Sequence, residues 1–572
     1  MTDGDAGSPV LVLGPLLRYV SETEATVWAE TDRACQIEIL GRQAATFEVA
    51  GHHYGLVVID GLQPGSEHEY QVALDGTVRW PLPGAGFPPS VLKTLSPARS
   101  GRALRLAFGS CRVTEIAAQA GHDHGTKDHG TNDHGTDADA LAAAATGLRE
   151  TPRDRWPDAL LLIGDQVYAD NPGPATRQFI GQRRDPAAAP GAEAADFEEY
   201  CALYREAWTE PAVRWLLSVI PTGMIFDDHD VHDDWNTSAA WREESHAKPW
   251  WRSRIEGAYL SYWVYQHLGN LSPAELDANE VWQKVRQPGD AAAVLRDVAH
   301  RADERAPGIR WSFSRTFGTV RVVMIDSRSR RVLESGKRLM ADEAEWQWVM
   351  DSVRGDWEHV VLATSVPLLL PRGIHALEAW NEAVCDGAWG SRLARFGERM
   401  RQKFDLEQWP SFGRSFAQFE QLLIGLAAGE YAAGERGERG EHGKPPASVT
   451  VISGDVHHSY LTAVDLPAVA AAGTAVYQAV CSPFQQRVPP MMRRAQWLAR
   501  SAPGGLIGTV VARLAGARAP AIRWRVTEGP WYENMISVLE FRDRRASVRF
   551  DRAAVGTSGT PRLTTACETR LS

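Results

Sequence analysis

Between residues 10 and 98 apolar and polar positions alternate over short runs, VLVLGPLLRYV, ATVWAET, CQIEILG, YGLVVIDGL and EHEYQVALDG, with turn signals such as LQPGSE and LDGT between them. Alternation enriched in β-branched and aromatic residues at this spacing predicts a small antiparallel sandwich. After about residue 101 the pattern changes. RLAFGSCR, DALLLIGDQVYAD, VRVVMIDSRSR, HVVLATSVPLLL and SVTVISGDVHHSY are nearly continuous apolar runs that each end in a polar cluster. Such strands belong to a sheet buried on both faces, and open α/β sheets place their chemistry at the carboxyl ends of such strands. ADEAEWQWVMDSVRG, with Trp346, Val349, Met350 and Val353 at helical spacing, predicts a crossover helix between two of them. The expected fold class is α/β: an N-terminal β-sandwich over 8–100, then an α/β domain over 101–560 with flexible insertions near 119–140 and 432–447.

Those insertions are compositionally distinct. GHDHGTKDHGTNDHGT, 121–136, is an imperfect His/Asp/Gly/Thr repeat, and AAGERGERGEHGKPP, 432–446, is a charged glycine-rich loop. The repeat reads first as a solvated loop and second as an auxiliary metal binder, since its histidines have no fixed geometry to enforce selectivity.

Composition narrows the function classes. A chain of 572 residues exceeds one core, and an apolar share of 44% with 23% charged is that of an ordinary globular protein. A formal net charge of -11 argues against a coat for long nucleic acid or anionic lipid, because counterion release needs a basic face. A small phosphoester remains compatible, since a bound metal supplies local positive charge. The opening MTDGDAGSPV has neither a secretory signal pattern nor a twin arginine, and no run is apolar enough for a membrane span, so a cytoplasmic location is expected. Six scattered cysteines without a CxxC are expected to be free thiols.

IFDDHDVHDDW, 225–235, packs five aspartates and two histidines into eleven positions. Its repulsion has to be balanced by something. The other strand ends offer complementary groups: Cys111 and Arg112, then Asp165, Tyr168 and Asp170, then Asp455, His457 and His458. Taken singly, each has an ordinary reading as a helix cap, a turn residue or a packed side chain. Together, hard oxygen donors, a thiolate, a phenolate and imidazoles suit a pair of cations, which would neutralise some of the carboxylates while solvent or hydrogen bonds serve the rest. The chain has no GxSxG elbow, no GxxxxGK[ST] loop and no GxGxxG turn. Cys111 as a nucleophile is disfavoured by its acidic surround, which raises a thiol pKa.

With these residues in hand, FGSCR, GDQVYAD, FDDHDVHDDW, IDSRSRR, the ADEAEWQWVMDSV helix and SGDVHHSY resemble, in order, the PhoD-type alkaline phosphatases of the calcineurin-like metallophosphoesterase superfamily. ATVWAE and LQPGSEHEYQV resemble a fibronectin type III domain. The resemblance implies a ferric ion, Fe(3+), on Cys111, Asp165, Tyr168 and His457, with Asp165 bridging, and a second cation, Ca(2+) or another divalent ion, facing Asp228 and Asp455. It gives His229 the place of the histidine that protonates the leaving oxygen. Asp230 and His458 are expected to stand behind these ligands, Asp230 orienting His229, while Asp170, Asp233 and Asp234 are expected to be structural or solvated.

The implied reaction is phosphoester hydrolysis by in-line attack of a metal-bound hydroxide. Arg112 is a candidate to hold a nonbridging oxygen, with a salt bridge to a local acid as its other reading. Arg328 and Arg330 either line the entrance or balance the acids, and the tryptophans of WREESHAKPWW and GPWYENM either shape the rim or pack the core. Two rival functions stand beside this one: a non-catalytic adaptor with a structural metal site, and a phosphodiesterase directed at nucleotides. Oligomeric state and natural substrate are left open.

Overall fold

The computed structural model describes residues 7–84, 86–114, 138–432, 444–469, 473–486, 502–556 and 559–572, and for 502–505 the backbone only. The His-rich repeat and residues 433–443 of the glycine-rich loop lie outside the described residues.

The first runs of alternating residues form antiparallel strands between Leu11 and Lys93, in two four-stranded sheets and one two-stranded sheet. Their inward positions, among them Leu17, Val27, Ile37, Val57 and Leu74, make one core. This β unit is docked on the α/β part of the chain. Arg18 is fully buried and gives its guanidinium to the Tyr265 and Gln266 carbonyls at 2.6 and 2.7 Å, while Arg315 donates to the Arg18 carbonyl.

In the α/β part, two mixed sheets pack face to face. One has six strands in the order Thr222–Ile225, Ala159–Ile163, Leu104–Gly109, Met535–Arg542, Arg545–Val555, Pro561–Arg570. The other has seven: Phe313–Phe317, Val320–Ile325, His359–Thr364, Ser448–Ser453, Ala475–Val480, Ser459–Asp465, Arg523–Trp531. The apolar runs noted in the sequence are the central parallel strands of both sheets. Their side chains alternate between two apolar environments, so neither face can be polar. Leu106, Phe108, Leu161 and Ile163 meet Val322, Met324, Val361 and Ile452 between the sheets. Leu160 and Leu162 point outward to a helical layer, as do Val323, Val360 and Val451 on the far side. The expected crossover helix, Glu343–Ser352, buries Trp346 and Val349 there; Met350 is only partly buried. The six-stranded sheet continues past residue 560, because Pro561–Arg570 is its last strand.

All six cysteines are free, and among the described residues no helix is long and apolar enough to cross a membrane.

Candidate metal centre

The carboxyl ends of the parallel strands of both sheets converge. Cys111 follows Leu104–Gly109, Asp165 follows Ala159–Ile163, Asp227 and Asp228 follow Thr222–Ile225, Arg328 follows Val320–Ile325, and Asp455 follows Ser448–Ser453. Two glycines allow this approach. A Cβ on Gly454 would lie 2.0 Å from Ser110 Oγ, and one on Gly164, at φ +93°, would lie 2.6 Å from the Asp227 Cβ. Cys111, Asp165, Asp455 and His457 all have positive φ, between 52° and 67°. Each such residue costs about 1–3 kcal/mol, strain that concentrates where geometry serves a function.

Four donor groups run into one another: Cys111, Asp165 and His457; Asp165, Asp228 and His229; Asp227, Asp228 and Asp455; and, more exposed, Asp170, His229 and Asp233. Cys111 Sγ lies 3.3 Å from Asp165 Oδ2. Tyr168 is buried, donates to Gln486 Oε1 at 3.0 Å and stacks on His229 with ring centroids 4.4 Å apart. Burial and Asp165 push the Cys111 thiol well above its ordinary pKa, the opposite of an activated nucleophile. Burial, then Cys111 and Asp165, raises the Tyr168 phenol; burial raises Asp165 and Asp455, reinforced by neighbouring acids. His457 is held neutral, its pKa lowered to about 3 by burial and by His229. Neutral imidazole is the ligating form. Asp165 Oδ1 and Asp227 Oδ2 are buried and accept no hydrogen bond. Such a donor set fits cations, because added positive charge is what lets these acids ionise together.

The chain also brings its own counter-charge into DDHDVHDDW. Arg328 is completely buried; its guanidinium pairs with Asp227, with Asp228 at 3.0 Å, with Asp455 at 3.6 Å and with Glu407. Of the two readings for Arg328, the structure selects charge balance. Arg330 pairs with Asp342 instead, and Arg331 shares Glu407 at 3.0 Å.

Asp230 and Asp170 exchange the roles expected of them. The Asp230 carboxylate accepts from the backbone N–H of Asp165 and Asp227 at 2.9 Å each, of Gln166 at 3.2 Å and of Val167 at 3.3 Å, so it ties two ligand-bearing turns together. The imidazole is held by Asp170, whose Oδ2 lies 2.8 Å from His229 Nδ1. Burial alone would lower the His229 pKa, but Asp170 and Asp228 outweigh it and raise it well above its ordinary value. Asp234 is pushed up to about 10 by burial and by Glu407, while Asp233 stands largely in solvent. His458 lies behind the Asp455 turn with Nδ1 2.6 Å from the Val456 carbonyl, between the rings of Tyr460 and Tyr532.

Arg112 is corrected from a phosphate holder to a structural residue. Asp139, which caps helix Ala140–Glu150, takes both Nε and Nη2 at 2.9 and 2.7 Å, and Nη1 donates to the Ala207 carbonyl. All three guanidinium nitrogens are engaged there. Trp241 and Trp251 are core, and Trp250 is partly buried over Lys248 and Arg254.

Sequence reasoning missed Glu407 and Gln408, whose Nε2 donates to Asp455 Oδ2 at 3.1 Å. They follow a helix and not a strand, so the strand-end pattern gave no sign of them.

Residues 144–363 match the model of the PhoD-like phosphatase family, and residues 8–92 match a domain of unknown function, DUF7800. No curated protein sequence matches. The solved structure of PhoD superposes with a TM-score of 0.56 at 12% identity, covering 100% of this chain and 94% of that one. A purple acid phosphatase, PPD1 from yellow lupin (Lupinus luteus) seeds, superposes at 0.45 with 10% identity, over 99% of this chain and 74% of its own. Over residues 144–363 the chain is thus similar to the PhoD-like phosphatases.

Proposed function

We propose that the chain hydrolyses small phosphoesters with a cation pair set where the two sheets meet: iron on Cys111, Asp165, Tyr168 and His457, and calcium or another divalent ion on Asp228 and Asp455. The supporting observation is continuity. Asp165 and Asp228 each belong to two of the donor groups, so the groups form one contiguous site. When bound, the pair acidifies a water and neutralises the phosphoryl oxygens.

The protein residues do the rest. Asp165 contributes to both halves, as a bridging carboxylate must. Arg328 and, at 2.9 Å, Ser365 Oγ both engage Asp227 Oδ1, so Asp227 anchors Arg328 between Asp228 and Asp455. Asp170 fixes His229 through Nδ1, keeps it charged, and leaves Nε2 as the proton donor to a leaving oxygen.

Three variants test this. Asp165→Ala should lose metal and activity together, whereas Asp227→Asn should keep its metal. His229→Ala should also keep metal while activity falls about 10²–10⁴-fold, most for esters with poor leaving groups. Metal loss in His229→Ala would make that residue a ligand. A metal-loaded parent that hydrolyses no phosphoester would favour the adaptor reading. Paired kinetics on a model monoester and a model diester, alongside, assigns the substrate class.

A further inference from the structure

Fifteen large apolar side chains are exposed among the described residues, and nine of them belong to one helical unit. Helix Arg372–Cys385 is its centre. Helix Ala502–Leu514 lies against it where Gly508 meets Ala376, and helix Ser391–Lys403 lies against it where Asn381 Nδ2 donates to the Gly397 carbonyl at 2.8 Å.

Helix Ser391–Lys403, SRLARFGERMRQK, has the most ordered surface of the three. Its inner side is Gly397 and Arg401. Its outer side carries two parallel stripes. Leu393 (43% exposed), Phe396 (52%), the partly buried Met400 and Phe404 (56%) recur at i, i+3, i+7 and i+11. Arg392, Arg395, Arg399 and Lys403 recur at the same interval one position earlier, all exposed and none in an ion pair among the described residues. The one acid on the helix, Glu398, is held by Arg401 at 3.0 Å. On a chain of net charge -11 this is a local reversal of sign.

We propose that this helix is a docking element for an anionic lipid surface, lying in the interface with its phenylalanines and leucine among the acyl chains and its four cations at the lipid phosphates. Apolar and basic stripes side by side on a helix of low overall apolarity are the pattern of an in-plane membrane helix. A fluid bilayer accepts a convex ridge, whereas a protein partner needs a shape-matched patch of about 800 Å². The basic stripe supplies the charge complementarity. Docking would act close to the chemistry: Glu407 and Gln408, which touch Arg328 and Asp455, come only four and five residues after Lys403.

The test is co-sedimentation of the full chain with vesicles of equimolar phosphatidylcholine and phosphatidylglycerol, against phosphatidylcholine alone, at low and high salt. Binding should require the anionic lipid and weaken with salt. Arg392→Gln/Arg395→Gln/Arg399→Gln should weaken it about 100-fold, at the usual contribution of a basic residue near such a surface. Leu393→Ser/Phe396→Ser should weaken it at least tenfold at unchanged charge. Both variants alter exposed side chains only, so their melting temperatures and their hydrolysis of a soluble ester should match the parent, which separates this inference from the catalytic reading. Parent protein that stays unbound at low salt overturns the proposal, as do variants that bind like the parent. A dimer that the Leu393→Ser/Phe396→Ser change dissolves, with no vesicle binding, overturns it too and assigns the face to a second copy.

Discussion

Replacing Asp230 by alanine separates a carboxylate that builds the site from one that works in it. The side chain is buried and accepts four backbone N–H groups, with Gln266 Nε2 as a fifth donor at 3.2 Å. A buried donor left without an acceptor costs about 1–3 kcal/mol, and the low end applies here because water can enter the hole, giving about 5 kcal/mol for the set. Burial raises the Asp230 pKa to about 7, so its charge is itself unfavourably placed. Removing it relieves part of that cost, so the net loss lies below about 5 kcal/mol. Asp170→Ala is the control: it frees His229 and the exposed Asp233 N–H, so turnover should fall while bound metal stays. Urea unfolding of both variants, with metal content and kinetics on the same samples, is the assay. A loss below about 1 kcal/mol for Asp230→Ala, or loss of metal in Asp170→Ala, would refute the division of roles.

Three further outcomes are expected. Iron bound through Tyr168 should colour the purified protein by charge transfer, and active, colourless preparations free of iron would remove the ferric assignment. Deleting residues 121–136 should leave turnover and tightly bound metal nearly unchanged, measured by kinetics and elemental analysis, because the site stands on strand ends. His52 of the β unit lies 2.7 Å from Glu198 and 3.4 Å from Glu30. Burial alone would lower its pKa from 6.5, but hydrogen bonds with Cys201, Glu198 and Glu30 raise it to about 12. The folded-state pKa is the higher one, so its stabilisation is full below pH 6.5 and fades as pH rises toward about 12. The stability gap between parent and His52→Gln should narrow across that window in urea melts.

Much of the site is legible in the sequence because a parallel strand buried on both faces leaves a clear mark, a run of apolar residues that stops at the site. Cys111, Asp165, Asp228, Asp455 and His457 all stand just beyond such runs, and the structure brings them together. Partnerships are less legible. Whether Asp170 or Asp230 faces His229 depends on how two turns fold back. Arg112 and Arg328 each follow a strand and look alike in sequence, yet one is drawn to a helix cap at Asp139 and the other to four carboxylates. Glu407 reaches the site from a helix, where apolar periodicity carries no such mark. The strands from Arg523 onward, which complete both sheets, alternate plainly in RWRVTEGPW and MISVLEFR but end in no cluster of site residues, so strand-end reasoning passes over them.

Leu104–Gly109 opens the six-stranded sheet's central region, and its partner on one side is Met535–Arg542; the side-chain contact between them, Arg105 to Glu540, joins residues 435 positions apart. On a ribosome adding about 5–20 residues per second, that strand waits roughly 20–90 s for its neighbour. During that interval the edge carrying Cys111 is unprotected and adheres to whatever strand is near. A chain cut short before Met535 should therefore keep that edge of Leu104–Gly109 unpaired.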